Sequence, residues 1–338
     1  MVMRTIGDQA RAYTLQASSS RLKSTLHTLS DELTSGRVSD VAQRLGGNTR
    51  ELSGIESRLQ TISAYQKLEG EVGGAASALQ TVLGGLREAA DQQAGRLLLN
   101  GNWGSELTFA DQAAEATAAF RAAISQLNTQ VQGSYILSGV ETDRPPLIDA
   151  HLILDELSLQ TSALPDAADI RQTVEDWFSA PPGGGGFIDF AYRGSLGVTR
   201  EIAVSDDERL SFATDASDPA IVATLKGLAL SAVSAQGAVA GRPSEQRALA
   251  EASAYVLLDA SERLTSVQGR IGLLQERLDR AGAGNAAAYA SLEMARNTIV
   301  SADPFATATA LSQVQVQMET LYSVTARLSS LKLVNYLR

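Results

Sequence analysis

The sequence predicts a mainly α protein: an elongated antiparallel helical bundle or coiled coil built from the N- and C-terminal segments, with a small central α+β insert containing a short β-sheet. Three observations predict it. Alanine supplies 52 of 338 residues, aromatics only 5%, and there are 8 prolines, a composition suited to long helices in close lateral contact. Apolar residues near both ends recur in alternating steps of 3 and 4, the spacing of a helix that packs on a partner helix. The charge is also split. Residues 1–50 carry 7 basic and 4 acidic side chains (+3), residues 289–338 carry 4 and 3 (+1), and residues 141–220 carry 5 and 16 (-11). Near-neutral ends can pack on copies of themselves, whereas an acidic middle favours water.

At the N-terminus Leu15, Leu22 and Leu29 are seven apart, and Leu22, Leu26, Leu29 and Leu33 form a 4-3-4 seam that Gly36 is placed to stop. A second helix is signalled by Leu52, Ile55, Leu59 and Ile62, continuing through Ala76, Leu79, Leu83 and Leu86, with Gly70, Gly73, Gly74, Gly84 and Gly85 as weak points. Asn100-Gly101-Asn102 is a turn signal. A third helix follows with Phe120, Ile124, Leu127 and Val131 on one face. The stretch Gly133 to Gly139 reads as extended, and Pro145-Pro146 forbids a helix there. Pro181-Pro182 and Gly183 to Gly186 read as a flexible loop. Phe187 to Tyr192, Thr199 to Val204 and Leu210 to Ala213 are β-prone and predict a small sheet.

Asp218-Pro219 predicts an N-cap with proline at the first helical position, and Gly241 to Pro243 a break. The seam Leu257, Ala260, Leu264, Val267, Ile271, Leu274, Leu278 runs on through Ala281, Asn285, Ala288, Leu292, Ala295 and Ile299. As one helix it would be about 64 Å long at 1.5 Å per residue. Asp303-Pro304 repeats the cap chemistry, and Leu311, Val314, Met318, Leu321 and Leu328 form a last seam with Thr325 as its weak position.

Little in the sequence supports catalysis. The chain has no cysteine and two histidines, His27 and His151, far apart, so thiolate chemistry and most zinc constellations are excluded. Both histidines are expected to be solvated, without ligand partners. The glycine run lacks a following Gly-Lys-Ser/Thr, so it is not a phosphate-binding loop, and no Gly-x-Ser-x-Gly elbow occurs. Asp206-Asp207-Glu208 lacks the ligand alternation of a calcium loop and reads as a solvated turn. A net charge of -10 argues against nucleic acid, and no apolar run of 18 residues predicts a membrane span. Residues Met1 to Gln16 are polar and lack a signal-peptide core. The chain is therefore expected to have no catalytic residues, metal or cofactor. It either stays in the cytoplasm or leaves by a route that reads no cleaved signal.

Larger blocks carry a family resemblance. Residues 308–311 (ATAL), 315–319 (QVQME) and 322–337 (YSVTARLSSLKLVNYL) resemble the C-terminal helix of bacterial flagellins and their junction homologues. Leu29 to Arg37 (LSDELTSGR) resembles the ending of that family's first helix. Gly133 to Leu147 (GSYILSGVETDRPPL), with Tyr135, Gly139, Thr142, Asp143, Pro145 and Pro146, is similar to a segment of the hook-associated members that form the outer hook–filament junction. Arg37 to Gly47 departs from the Asp- and Ala-rich stretch usual in flagellins, which argues against a main filament subunit.

The resemblance implies a structural adaptor joining hook to filament by helical polymer contacts, exported by the flagellar type III system to the extracellular flagellum. The implied partners are copies of itself, the neighbouring hook-associated junction protein, flagellin and an export chaperone. The expected packing positions are Leu15, Leu22, Leu26, Leu29, Leu33, Leu311, Val314, Met318, Leu321 and Leu328. The expected organisation is a terminal helix of the inner core (1–40), the N-terminal half of a long bundle (41–140), an acidic outward-facing insert (141–242), the C-terminal half of the bundle (243–302) and a second inner-core helix (303–338). Alternative readings are a flagellin and a cytoplasmic coiled-coil scaffold.

Overall fold

A computed structural model describes residues 6–99, 106–197, 200–212, 215–234, 239 and 241–336. Of the described residues 76% are helical. In order it forms α1 (Ile6–Ser35), α2 (Val41–Arg44), α3 (Arg50–Leu99), α4 (Glu106–Leu127), β1 (Gln130–Val131), β2 (Ser134–Tyr135), α5 (Ala150–Thr161), α6 (Ala167–Ser179), α7 (Phe187–Phe190), β3 (Arg200–Ala203), β4 (Arg209–Phe212), α8 (Pro219–Val233), α9 (Pro243–Val300) and α10 (Pro304–Tyr336). It divides into two compact units, Met1–Ser63 with Ala287–Arg338, and Ala64–Ala286. The turn expected at residues 100–102 lies outside the described residues, as do Thr199 and Ala213 of the expected strands.

In the first unit α1 packs on α10. Gly36 ends α1 as expected: at φ +68° it adopts the left-handed conformation, and its amide donates to the Glu32 carbonyl at 2.8 Å. The chain then meets its own later crossing. The Val38 amide donates to the Val300 carbonyl and the Ala302 amide to the Gly36 carbonyl, both at 2.9 Å, around an antiparallel bridge between Arg37 and Ser301. Arg44 Nη1 donates to the Ser301 carbonyl at 2.5 Å. Asp303 caps α10, its carboxylate accepting from the amides of Phe305 and Ala306 at 2.9 and 3.2 Å. Because α1 stops where α10 starts, the two run antiparallel. His27 is not partnerless: its Nδ1 lies 3.2 Å from the Asp31 carboxylate one turn on, the usual i,i+4 neighbour on a helix face.

The second unit is built around α8, which packs on α4, α5 and α6 and buries nearly every residue. Leu79, Leu83 and Leu86 of α3, Phe120, Ile124 and Leu127 of α4, Leu225 and Leu228 of α8, and Leu257 and Leu264 of α9 share this core. The Asp218 side chain accepts from the Ala220 amide at 2.9 Å with Pro219 behind it, as the sequence predicts. Polar rungs align α3 with α9: Gln80 Nε2 donates to the Gln268 carbonyl at 2.8 Å, and Gln275 Nε2 to Ser77 Oγ at 3.3 Å. The register falls along one helix as it rises along the other, so the pair is antiparallel.

α8 meets α9 at Gly227, whose carbonyl accepts from Ser253 Oγ at 2.8 Å; a Cβ there would sit 2.7 Å from Leu257 Cγ. Gly227→Val therefore overpacks this crossing and costs about 1–3 kcal/mol, which a thermal unfolding curve would register as a lower midpoint. An unchanged midpoint would show that α8 and α9 do not meet as described.

Several expectations fail for identifiable reasons. The second helix, by contrast, does continue through its glycines as expected, forming α3. Gly73, Gly84 and Gly85 receive the side chains of Leu278, Gln268 and Gln126, so their missing side chains are filled by neighbours. Val131 is not on α4, which ends at Leu127; the Asn128 side chain donates to the Leu147 carbonyl and accepts from the Leu147 amide, both at 3.0 Å, and turns the chain into β1. Phe187 to Phe190 is a helical turn, not a strand. Asp189 folds the preceding glycines back by accepting from the amides of Gly183 and Gly185 at 2.9 and 2.8 Å. These bonds hold its carboxyl below the usual carboxylate range, and they make the glycine run a tied turn rather than a flexible loop. The aromatic residues then gather on Trp177, with Phe178 and Phe187 ring centres 4.9 and 6.2 Å away. Two of the three expected runs do form a sheet, the β3–β4 hairpin; a second two-stranded hairpin, β1–β2, is separate from it, and α5 and α6 occupy acidic sequence in which no helix is expected.

Candidate functional site

The predicted packing residues divide by position. On α1, Leu15, Leu22, Leu26 and Leu29 are half-buried and Leu33 is 39% exposed. On α10, Val314 is buried, Leu311, Met318 and Leu321 are half-buried, and Leu328 is 41% exposed. The seam positions therefore lie toward the paired faces but are not closed off. Tyr13, Phe305, Val316, Tyr322 and Val324 add large exposed apolar groups on the same two helices. Among the described side chains, α1 buries none and α10 buries only Thr307 and Val314. In α8 nearly all are buried. That contrast is the main functional signal in the molecule, since burial is what normally stabilises a helix in water.

The motif residues form a structural corner in the second unit. The Tyr135 amide donates to the Thr142 carbonyl at 2.9 Å, closing the loop that follows β2. Gly139, at φ +67°, lies against Ser195, whose Oγ accepts from the Val140 amide at 2.7 Å; a Cβ on Gly139 would come within 2.3 Å of that oxygen. Only glycine fits both the backbone conformation and the space. Asp143 and Pro145 are exposed, while Pro146 is buried and its carbonyl accepts from the Arg193 amide at 2.7 Å. Leu147 pairs with Tyr192 in an isolated antiparallel bridge. Sequence reasoning missed Ser195, Tyr192 and Asn128, because their partners are distant along the chain and no local spacing marks them.

Burial of the Tyr192 hydroxyl, and secondarily the nearby Asp215 charge, raise its pKa above the ordinary value of 10.0. The hydroxyl donates to the Ser195 carbonyl at 2.9 Å. The folded state therefore favours the protonated phenol, so the stabilisation is complete below pH 10 and declines as pH rises through it, where the unfolded chain ionises first. Unfolding midpoints at pH 8 and pH 11 should differ by less in Tyr192→Phe than in the parent. Equal pH dependence in both would remove Tyr192 from this role.

A cleft of about 620 Å³ is lined by residues of α6, α8 and α9. Its charged groups are already paired, Lys226 with Glu175 at 2.6 Å and Arg263 with Asp259 at 2.7 Å, and it brings together no nucleophile and base. Among the described residues no cluster of three His, Asp or Glu side chains is placed to hold a metal ion, and no helix is long and apolar enough to cross a membrane.

Comparison with known proteins agrees with this geometry. Residues 256–337 match the family model of the bacterial flagellin C-terminal helical region. The fold is similar to that of a solved protein described as a flagellar hook-associated protein from Vibrio parahaemolyticus, with TM-score 0.52 and 16% identity over 73% of this chain and 95% of that one. No curated protein matches the sequence. The α10 side of the open apolar seam thus lies within the region that is similar to the flagellin C-terminal helical region, and the fold is one shared with a solved protein described as hook-associated.

Proposed function

We propose that this chain is a structural adaptor of the bacterial flagellum that joins hook to filament. Its α1–α10 pair packs against copies of itself, with the neighbouring hook-associated junction protein on one side and flagellin on the other. The observation that carries this reading is the pair of 30- and 33-residue helices that together bury only Thr307 and Val314 among their described side chains. So little burial does not offset the backbone entropy of ordering two long helices, and neighbouring helices complete the seam. On this reading the chain leaves the cell through the flagellar type III system, accompanied by an export chaperone, and resides outside the cell at the hook–filament junction.

The match to a flagellin helical region favours one other reading, a filament subunit. Gold-labelled antibody on intact flagella separates them. A single band at the hook–filament boundary supports the adaptor, and label along the whole filament supports the flagellin. Retention of the chain in the cytoplasm, with unlabelled flagella, contradicts both and favours a coiled-coil scaffold.

A further inference from the structure

A polar side chain in a helix seam lowers stability unless it fixes a register or a partner. Asn285 stands in the α9 seam and is only 7% exposed. Its Nδ2 donates to the Val204 carbonyl, in the turn between β3 and β4, at 2.7 Å, and also to the Glu69 carboxylate on α3. One amide group, with its two hydrogens, thus ties two helices and a hairpin together. Around it Val204 and Leu210 of the hairpin form an apolar cluster with Val72 of α3 and Leu278 of α9, flanked by Ile202, Leu274 and Ala281. The cluster is distinct from the core around α8. At this level α3 carries Gly70, Gly73 and Gly74; open space surrounds the first and last, and Gly73 meets Leu278. The hairpin packs on Val72, the large apolar side chain that α3 offers between these glycines. Tyr65 adds a tie at the tip, its hydroxyl donating to Asp206 at 3.2 Å.

We propose that the β3–β4 hairpin is a strap, seated through Asn285, that fixes the register of the glycine-weakened stretch of α3 against α9 and can be released without opening the core around α8. Leucine at position 285 fills similar space but leaves the Val204 carbonyl and the Glu69 carboxylate unpaired, while an aspartate at position 204 unseats the hairpin from its own side. Each lesion removes the same seat by a different route.

Hydrogen exchange on the full chain tests the strap. In both Asn285→Leu and Val204→Asp, amides of residues 200–212 and of residues 66–76 should exchange at least about tenfold faster, as in a local opening, while α8 keeps its protection. Faster exchange in the hairpin alone would make the strap a passenger on the helices and overturn the proposal. Loss of protection in α8 in both variants would overturn it equally, because the strap would then be inseparable from the core.

Discussion

Leu328→Asp should leave the isolated chain folded and stop it from entering a flagellum. In the single chain Leu328 is 41% exposed, so a carboxylate there stays in water and costs little. On the proposed reading a neighbouring helix covers the position in the assembled state, and burying an unpaired carboxylate costs several kcal/mol. That exceeds the ~1.5–3 kcal/mol one apolar side chain returns on burial, so adjacent contacts do not compensate. Leu321→Asp should give the same assembly defect with some loss of monomer stability, since Leu321 is half-buried in the α1–α10 pair. The expected phenotype is a hook without a stable filament, with flagellin released into the medium. Secretion of each variant must be measured alongside, because a lesion in chaperone binding would also empty the junction. Normal secretion with full-length filaments in Leu328→Asp would mean that this face of α10 is not an assembly surface.

Phe120→Ala should be the most damaging single truncation in the second unit. Phe120 is fully buried where α4 packs on α8, and its removal leaves a cavity in that core. The expected loss is about 3–5 kcal/mol, a large part of the ~5–15 kcal/mol that holds a folded domain together. Val140→Ala is the control; Val140 is 49% exposed, and such a change should fall within about 0.5 kcal/mol. Urea unfolding monitored by circular dichroism reads both. Equal midpoints for the two variants would contradict the placement of α4 in the core.

The long helices were legible in the sequence because their partners are also regular helices, so the period alone selects the buried face. Leu257, Ala260, Leu264, Val267, Ile271 and Leu278 are all buried as the 3-4 steps require. Farther along the same seam Ala288 and Ala295 are exposed, since a periodic pattern says which face is apolar but not where a partner ends. The helices of the acidic middle are less legible in the sequence for a different reason. Ile170, Val174 and Trp177 do carry a helical step in α6, with Asp166 capping it at 2.9 Å, but the flanking prolines and glycines drew attention to turns. Phe187 to Phe190 has strand propensity that tertiary context overrides, because Asp189 and the Trp177 cluster stabilise a helical turn.

The candidate site was legible as a set of positions and not as a surface. Spacing marks Leu15, Leu22, Leu311 and Val314 as facing a partner, whereas the openness of that face depends on everything packed around it. The motif from Tyr135 to Pro146 could be matched as a string, yet its physical role depends on Ser195, Tyr192 and Arg193, more than fifty residues after Gly139 in the case of Ser195.

The proposed adaptor role requires the α1–α10 pair to be an assembly surface completed by neighbouring subunits. Hydrogen exchange of residues 9–35 and 304–328, measured in the free chain and again in purified flagella, tests it most directly. The expected result is fast exchange in the free chain, with a core near residues 64–286 that stays protected, and strong protection of both terminal segments once assembled. Equal protection of α1 and α10 in the two states would contradict it.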